Sequence, residues 1–77
     1  MKDESLLKRI AIDTKIMLGK PVIKGTRLTV ELILEKLAYG ATYESLLKDY
    51  PFLANDDIRA AVLYASKAIS TEEVFAA

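Results

Sequence analysis

The second half of the chain is dominated by apolar residues at helical spacing. From Thr29 onward they recur three and four residues apart, as along one face of an α-helix. Thr29 has the side chain of an N-cap, and Gly40 suits the position just after a helix C-terminus. A first helix is predicted between these two residues, with the core-facing residues Val30, Ile33, Leu34, Leu37 and Ala38.

A second, short helix is predicted after the first one. Thr42 can cap it, and Leu46 and Leu47 are the apolar residues that it buries. This helix must end by Tyr50, because Pro51 disfavours a helical conformation in the residue before it.

Asn55 is predicted to cap a third helix. Asp56 and Asp57 follow it at the positive end of the helix dipole, where carboxylates are stabilising. The apolar residues downstream keep the helical spacing and predict a core-facing stripe made of Ile58, Ala61, Val62, Ala65 and Ile69.

The stretch between Arg9 and Thr29 is rich in β-branched residues, glycine and proline. Residues 10–12 predict a short strand, and residues 21–23 followed by 26–28 predict a second, interrupted one. A small sheet or arm thus precedes the helices. The chain is predicted to be a single domain, residues 1–77, divided into a β arm at 9–29, a three-helix bundle at 30–69 and a C-terminal tail at 70–77.

Both long helices also carry apolar residues away from the predicted core stripe. Scattered exposed apolar residues are ordinary in proteins. Two such faces in a chain of only 77 residues, whose core is small, favour burial against a second subunit or another protein. The predicted partner surface consists of Leu32 and Tyr39 on the first helix, Leu63 and Tyr64 on the third, and Val74 and Phe75 in the tail.

The composition excludes much enzyme chemistry, because the chain has no histidine and no cysteine. Imidazole bases, thiolate nucleophiles and Cys/His zinc sites are therefore absent. The spacing of Asp13, Asp49, Asp56 and Asp57 supports neither a metal site nor an acid–base pair, and the last two are explained by helix capping. We predict a protein that is not an enzyme and needs no cofactor.

No early apolar run reaches the length of a secretory signal or a membrane span, so we expect a cytoplasmic protein without membrane contact. The net charge is zero, but residues 1–30 carry seven Lys and Arg against three Asp and Glu. This imbalance favours a basic face for a polyanion or an acidic partner. The alternative is that the two halves attract each other within one fold.

Three consecutive short helices permit a helix-turn-helix, whose last helix enters the DNA major groove by its N-terminal end. Here that end is acidic, and Asp56 and Asp57 are expected to repel phosphate. On the third helix, only Arg59, Ser66 and Lys67 favour contact with DNA. A plain three-helix packing unit therefore stays an alternative.

The arm carries cations among glycines, from Gly19 to Arg27. These cations and the open backbone N–H groups can hold a phosphate, although no Lys followed by Ser or Thr completes a nucleotide-binding loop. The structural alternative is that Gly25 makes a turn or a bulge and that Arg27 pairs with Glu31 or Glu35.

Residues 12–30 resemble the opening signature of the prokaryotic domain-of-unknown-function family 433. The most specific part is the sequence GKPVIKGTR at residues 19–27. The resemblance covers about residues 9–69, nearly the whole chain. The later motifs follow in order and are LAYGATYE at residues 37–44, DYPFL at 49–53, DIRAA at 57–61, and Tyr64-Ala65.

This resemblance implies a mainly α fold, a three-helix, homeodomain-like helix-turn-helix preceded by a small N-terminal β element. It also implies a VapB-like antitoxin of a type II toxin–antitoxin pair, which neutralises a PIN-like ribonuclease toxin and binds operator DNA as a homodimer or higher oligomer. Operator contacts are then expected on Lys20, Lys24, Arg27 and Arg59. The alternatives are a free-standing dimeric helix-turn-helix regulator that binds DNA and a purely structural homodimer.

Overall fold

Four helices and a two-stranded antiparallel sheet make up residues 3–70, the part of the chain that the computed structural model describes. Within these residues, no helix has the length and apolar character needed to cross a membrane. A short 3-10 turn, Met17–Gly19, lies between the two strands. The elements in chain order are α1 (Asp3–Leu7), β1 (Ile10–Ala11), β2 (Val22–Ile23), α2 (Val30–Ala38), α3 (Tyr43–Asp49) and α4 (Asn55–Ile69).

The two strands pair where the β-branched residues predict them. Ile10 lies opposite Ile23, and Ala11 lies opposite Val22. The prediction of an interrupted second strand is wrong beyond Ile23, because the chain turns back on itself there. The N–H of Ile23 donates to the carbonyl of Leu28 at 2.9 Å, so residues 24–27 form a tight turn.

The predicted first helix is confirmed as α2. The hydroxyl oxygen of Thr29 accepts the N–H of Leu32 at 3.0 Å, as an N-cap does. At the other end, Gly40 has a φ of +100° and its N–H donates to the carbonyl of Leu37 at 3.1 Å. The N–H of Ala41 donates to the carbonyl of Lys36 at 2.9 Å, which completes a Schellman motif.

The predicted second helix is confirmed as α3. Thr42 and Ser45 form reciprocal side-chain to backbone hydrogen bonds of 3.0 and 2.9 Å, a capping box. Leu46 is fully buried and Leu47 is half-buried. The helix ends at Asp49, as the proline at position 51 requires.

The third predicted helix is confirmed as α4, and Ile58 and Ala61 of its predicted stripe are fully buried, but its start and part of its buried side differ from the prediction. Ala54 is the N-cap, and Asn55 is the first helical residue. Ala60 is fully buried, whereas Val62 is 40% exposed and Ile69 is 60% exposed. The carboxylate of Asp57 accepts the N–H of Ala54, which sets the N-cap one residue earlier than predicted. α1 and β1 pack against α4, and the helical periodicity alone does not show which side they cover.

One hydrophobic core joins the arm to the helices. Val22 and Ile23 of β2 are buried, so the arm is an integral part of the folded domain. The core therefore needs both the arm and the bundle to form. Its buried members are Ile23, Leu28, Val30, Ile33, Leu46, Leu53, Ile58 and Ala61.

Gly40→Ala should lower the free energy of unfolding by about 1 kcal/mol. A Cβ at this position would meet no atom within 4 Å, so the cost comes from the positive φ alone. Asn tolerates this backbone region better, and Gly40→Asn should cost less than Gly40→Ala. Urea denaturation followed by circular dichroism measures both; equal stability of Gly40→Ala and the wild type would contradict the role of Gly40.

Candidate functional site

The strongest polar contact between the arm and the helices is made by Arg9. Its Nη1 donates to Oδ1 of Asp57 at 3.1 Å, and its Nη2 lies 3.7 Å from Oδ2 of Asp56. The other carboxylate oxygen of Asp57 accepts the N–H of Ala54 at 2.9 Å, and this side chain is only 11% exposed. Both acidic residues at the start of α4 thus face a cation, which makes their repulsion of phosphate weaker than the sequence predicts.

The four cations predicted to contact DNA do not lie in one site. Lys20 on the arm forms an ion pair with Glu31 on α2, with 3.1 Å between Nζ and Oε1. Lys24 lines a separate cleft of about 360 Å³ together with Lys8 and Arg9. Arg27 lines a groove next to the linker between α3 and α4, and Arg59 is exposed on α4.

The predicted ion pair between Arg27 and Glu31 or Glu35 is wrong. Among residues 3–70, Arg27 makes no ion pair, and Lys20 takes the position next to Glu31. The turn at residues 24–27 explains this, because it directs Arg27 away from α2 and towards the linker between α3 and α4. The structural role predicted for Gly25 is confirmed, since its φ of +80° lies in this turn.

The predicted partner surface is only partly exposed. Tyr39 is 85% exposed at the end of α2. Leu32 is half-buried and packs against the hydrophobic core, so the prediction that it lies opposite the core is wrong. Leu63 and Tyr64 are half-buried on α4. Val74 and Phe75 lie outside the described residues.

Two open grooves on the described surface are candidates for binding, and Tyr64 lines the first of them. The first, the α2–α4 groove, has a volume of about 490 Å³ and lies between Val30, Leu34 and Ala38 on one side and Tyr64 and Ala65 on the other. Glu31 and Glu35 also line it. The second, the linker groove, has a volume of about 800 Å³ and is lined by Ile16, Gly25, Thr26, Arg27, Leu28, Tyr50 and Phe52.

Two aromatic rings, those of Tyr50 and Phe52, line the linker groove. Tyr50 and Phe52 lie edge to face, with 6.0 Å between ring centroids, and Nζ of Lys36 lies 5.9 Å from the centroid of Tyr50. Phe52 is 59% exposed. The sequence analysis did not identify Phe52 as a surface residue. Its position just after Pro51, outside every predicted helical stripe, could have indicated that it is exposed.

The described part of the chain contains no cluster of metal-binding side chains. Within residues 3–70, no group of three or more Asp and Glu side chains is placed to hold a metal ion. The contacts on the described surface are instead ion pairs, exposed aromatic rings and apolar grooves.

Comparison with known proteins identifies the family. The family model described as "Protein of unknown function (DUF433)" matches residues 10–65. This chain belongs to the DUF433 family. The DUF433 match includes both strands, α2, α3 and most of α4, and it begins after α1.

One solved structure and one protein sequence are similar to this DUF433 chain, and the solved structure shows the shared fold. The crystal structure of a DUF433 member protein from Anabaena variabilis superimposes with a TM-score of 0.78 at 28% identity, covering 88% of this chain and 67% of that one. An uncharacterized protein from Archaeoglobus fulgidus is 56% identical over 25 residues, which are 32% of this chain and 69% of the relative. The shared fold is therefore established, and neither description states an activity.

Arg9→Ala should lower the free energy of unfolding by about 1–2 kcal/mol, because it leaves the mostly buried carboxylate of Asp57 without its cation. Lys20→Ala is the matched control. It removes an ion pair whose side chains are 51% and 68% exposed, and it should cost less than about 0.5 kcal/mol. Urea denaturation distinguishes the two; similar losses would show that the Arg9 contact is no stronger than a surface pair.

Proposed function

We propose that this DUF433 protein is a non-catalytic antitoxin, which binds and neutralises a PIN-like ribonuclease toxin. Residues 12–30 resemble the opening signature of this family, and the VapB-like antitoxin role that this resemblance implies supports the class of partner. The observation that carries the proposal is the apolar surface left open beside α2 and α4, because a domain of this size gains stability by burying such a surface against another protein.

This surface has the composition of a protein interface. The α2–α4 groove supplies an apolar floor, and Tyr39 directly follows Ala38 at its edge. Val62 and Ile69 add exposed apolar area on α4. Tyrosine is enriched among the residues that contribute most to binding, and a polar rim commonly surrounds such an apolar centre. Glu31 and Glu35 are suited to this rim.

Arg59 is the residue best suited to act on the toxin's active site. A PIN-like nuclease uses a cluster of carboxylates to hold metal, and a guanidinium can pair with two carboxylate oxygens at once. Arg59 is exposed and makes no ion pair with any residue from 3 to 70. Lys67, the other candidate cation, is already engaged, since its Nζ lies 3.2 Å from Oδ2 of Asp3.

Tyr39→Asp should abolish binding of the toxin without unfolding the protein, because an 85% exposed side chain contributes little to the core. The protein is tagged at its N-terminus in its native host and purified, and any co-purifying protein is identified by mass spectrometry. We expect a near-stoichiometric small nuclease whose metal-dependent RNA cleavage is inhibited by added wild-type protein.

Leu18→Asp is the matched control, since Leu18 is 93% exposed, lies on the arm and does not line the α2–α4 groove. This variant should still bind and inhibit the nuclease. Recovery of the protein without a nuclease would contradict the proposed function. Equal binding of the nuclease by Tyr39→Asp and Leu18→Asp would contradict the proposed surface.

A second candidate function is DNA binding, by the antitoxin on its operator or by a free-standing dimeric regulator. In this proposal α3, the linker and α4 act as a homeodomain-like helix-turn-helix. The observation that favours it is that Arg9 offsets part of the negative charge of Asp56 and Asp57. Asn55 and Arg59 are exposed near the start of α4. Lys24 beside Lys8 adds cations near the same end of the molecule.

DNA binding through these cations should fall steeply as salt rises from about 50 to about 200 mM, whereas a toxin complex held by apolar burial should persist. Lys24→Ala and Arg59→Ala should each lower the affinity and the salt dependence. Fluorescence anisotropy with a duplex from upstream of the chain's own gene measures both, with Lys15→Ala as the control. Binding that is absent at 50 mM salt would exclude this second function.

A further inference from the structure

The linker groove forms where two segments that are distant in the chain come together. Three of its residues belong to the arm turn and two to the segment after α3, namely Gly25, Thr26 and Arg27, and Tyr50 and Phe52. Both segments belong to motifs through which the chain resembles its family, GKPVIKGTR at residues 19–27 and DYPFL at 49–53. The surface proposed for the nuclease includes no residue of this groove.

Phe52 gives the groove an accessible aromatic ring. This side chain is 59% exposed, and its ring meets that of Tyr50 edge to face, at an interplanar angle of 67°. Tyr50 already has two neighbours, since Nζ of Lys36 lies 5.9 Å from its ring centroid. A planar ring that enters the groove therefore has Phe52 to stack on, as nucleobases stack on exposed aromatic side chains.

Arg27 gives the groove a positive charge that no carboxylate offsets. It makes no ion pair within residues 3–70. The lining of the linker groove contains no Asp or Glu, whereas Glu31 and Glu35 line the α2–α4 groove. The N–H groups of Gly25 and Arg27 also donate to no other group within residues 3–70. A guanidinium together with main-chain N–H groups is a donor set that suits a phosphate.

The size and the charge of the groove limit the kind of ligand. Its volume of about 800 Å³ lies within the range of small-molecule sites, so it has room for a base, a sugar and a phosphate together. A nucleic acid strand needs a row of cations along its backbone. Among the described residues that line the groove, Arg27 is the one that carries a charge. A ligand with one base and one phosphate matches this lining.

We propose that the linker groove binds a nucleoside monophosphate. The base stacks on Phe52, and the phosphate accepts hydrogen bonds from the guanidinium of Arg27 and from the N–H groups of Gly25 and Arg27. Gly25 leaves room for the ligand, because no atom lies within 4 Å of the position that a Cβ would take. This inference goes beyond the proposed function, since it depends neither on a nuclease nor on DNA.

Calorimetric titration of the full-length protein with adenosine monophosphate and with guanosine monophosphate tests the proposal. At least one of the two should bind, with one ligand per chain. The matching nucleoside lacks the phosphate and should bind at least about tenfold more weakly. Ribose 5-phosphate lacks the base and should also bind at least about fivefold more weakly.

Two variants separate the parts of the site. Phe52→Ala should lower the affinity for the nucleotide at least about fivefold, because it removes the stacking surface. Arg27→Ala should lower it at least about tenfold and leave the affinity for the nucleoside unchanged, because this side chain contacts the phosphate alone. Arg27→Lys keeps the charge without the planar fork and should lie between Arg27→Ala and the wild type.

Matched controls use exposed residues outside the lining of the groove. Leu18→Ala shortens an apolar side chain that is 93% exposed, and Lys15→Ala removes an exposed cation. Both should bind the nucleotide as the wild type does. In the amide NMR spectrum of the wild type, the resonances of Gly25 and Arg27 should shift on saturation with nucleotide, whereas that of Gly40, which does not line the groove, should not.

The proposal is overturned if neither nucleotide binds with a Kd below about 1 mM, or if the nucleoside binds as tightly as the nucleotide. It is also overturned if phosphotyrosine or a short single-stranded RNA binds in the groove more tightly than both nucleotides, because the groove then serves a phosphorylated protein or a strand. Nucleotide binding by a protein that recruits no nuclease would support this inference and contradict the proposed function, so the two failures are distinguishable.

Discussion

The contact between Arg9 and Asp57 joins residues that are 48 positions apart, and it is the constraint that couples the arm to the last helix. It anchors the junction of α1 and β1 at the start of α4, while the same carboxylate accepts the N–H of Ala54 and sets the first turn of the helix. Because one carboxylate serves both purposes, the position of the arm and the beginning of α4 are coupled. The charge of Arg9 also changes the electrostatics of that helix end, which is the end that a DNA-binding helix would present.

The core explains why such a contact matters in a small domain. A chain of 77 residues buries a modest apolar area, and its arm supplies part of it through Val22 and Ile23. Other apolar side chains stay exposed, among them Phe52 in the linker groove, Tyr39 after α2 and Val62 on α4. A partner that covers such a surface binds only the folded chain, so its binding also raises the free energy of unfolding.

From the sequence alone, function is a hypothesis about a class of protein. The absence of histidine and cysteine directs attention from catalysis to binding, and the family resemblance directs it to a particular partner. The individual site residues were less predictable. Lys20, Lys24 and Arg27 lie within eight positions of one another, yet the turn at residues 24–27 sends their charges to three different parts of the surface. Phe52, in a short linker, belongs to no periodic pattern and gained its place beside Arg27 only from folding.

The sequence by itself determined where α2 and α3 begin and end, because caps, glycine stops and proline act through bonds between residues a few positions apart. The Thr29 cap, the Schellman motif at Gly40 and the capping box at Thr42 are all of this kind. The tertiary structure alone decided that the buried side of α4 extends to Ala60 and where the charge of Arg27 points. Those outcomes depend on α1, β1 and the arm turn, whose contacts with the helices join residues far apart in the chain and leave no periodic signal in the sequence.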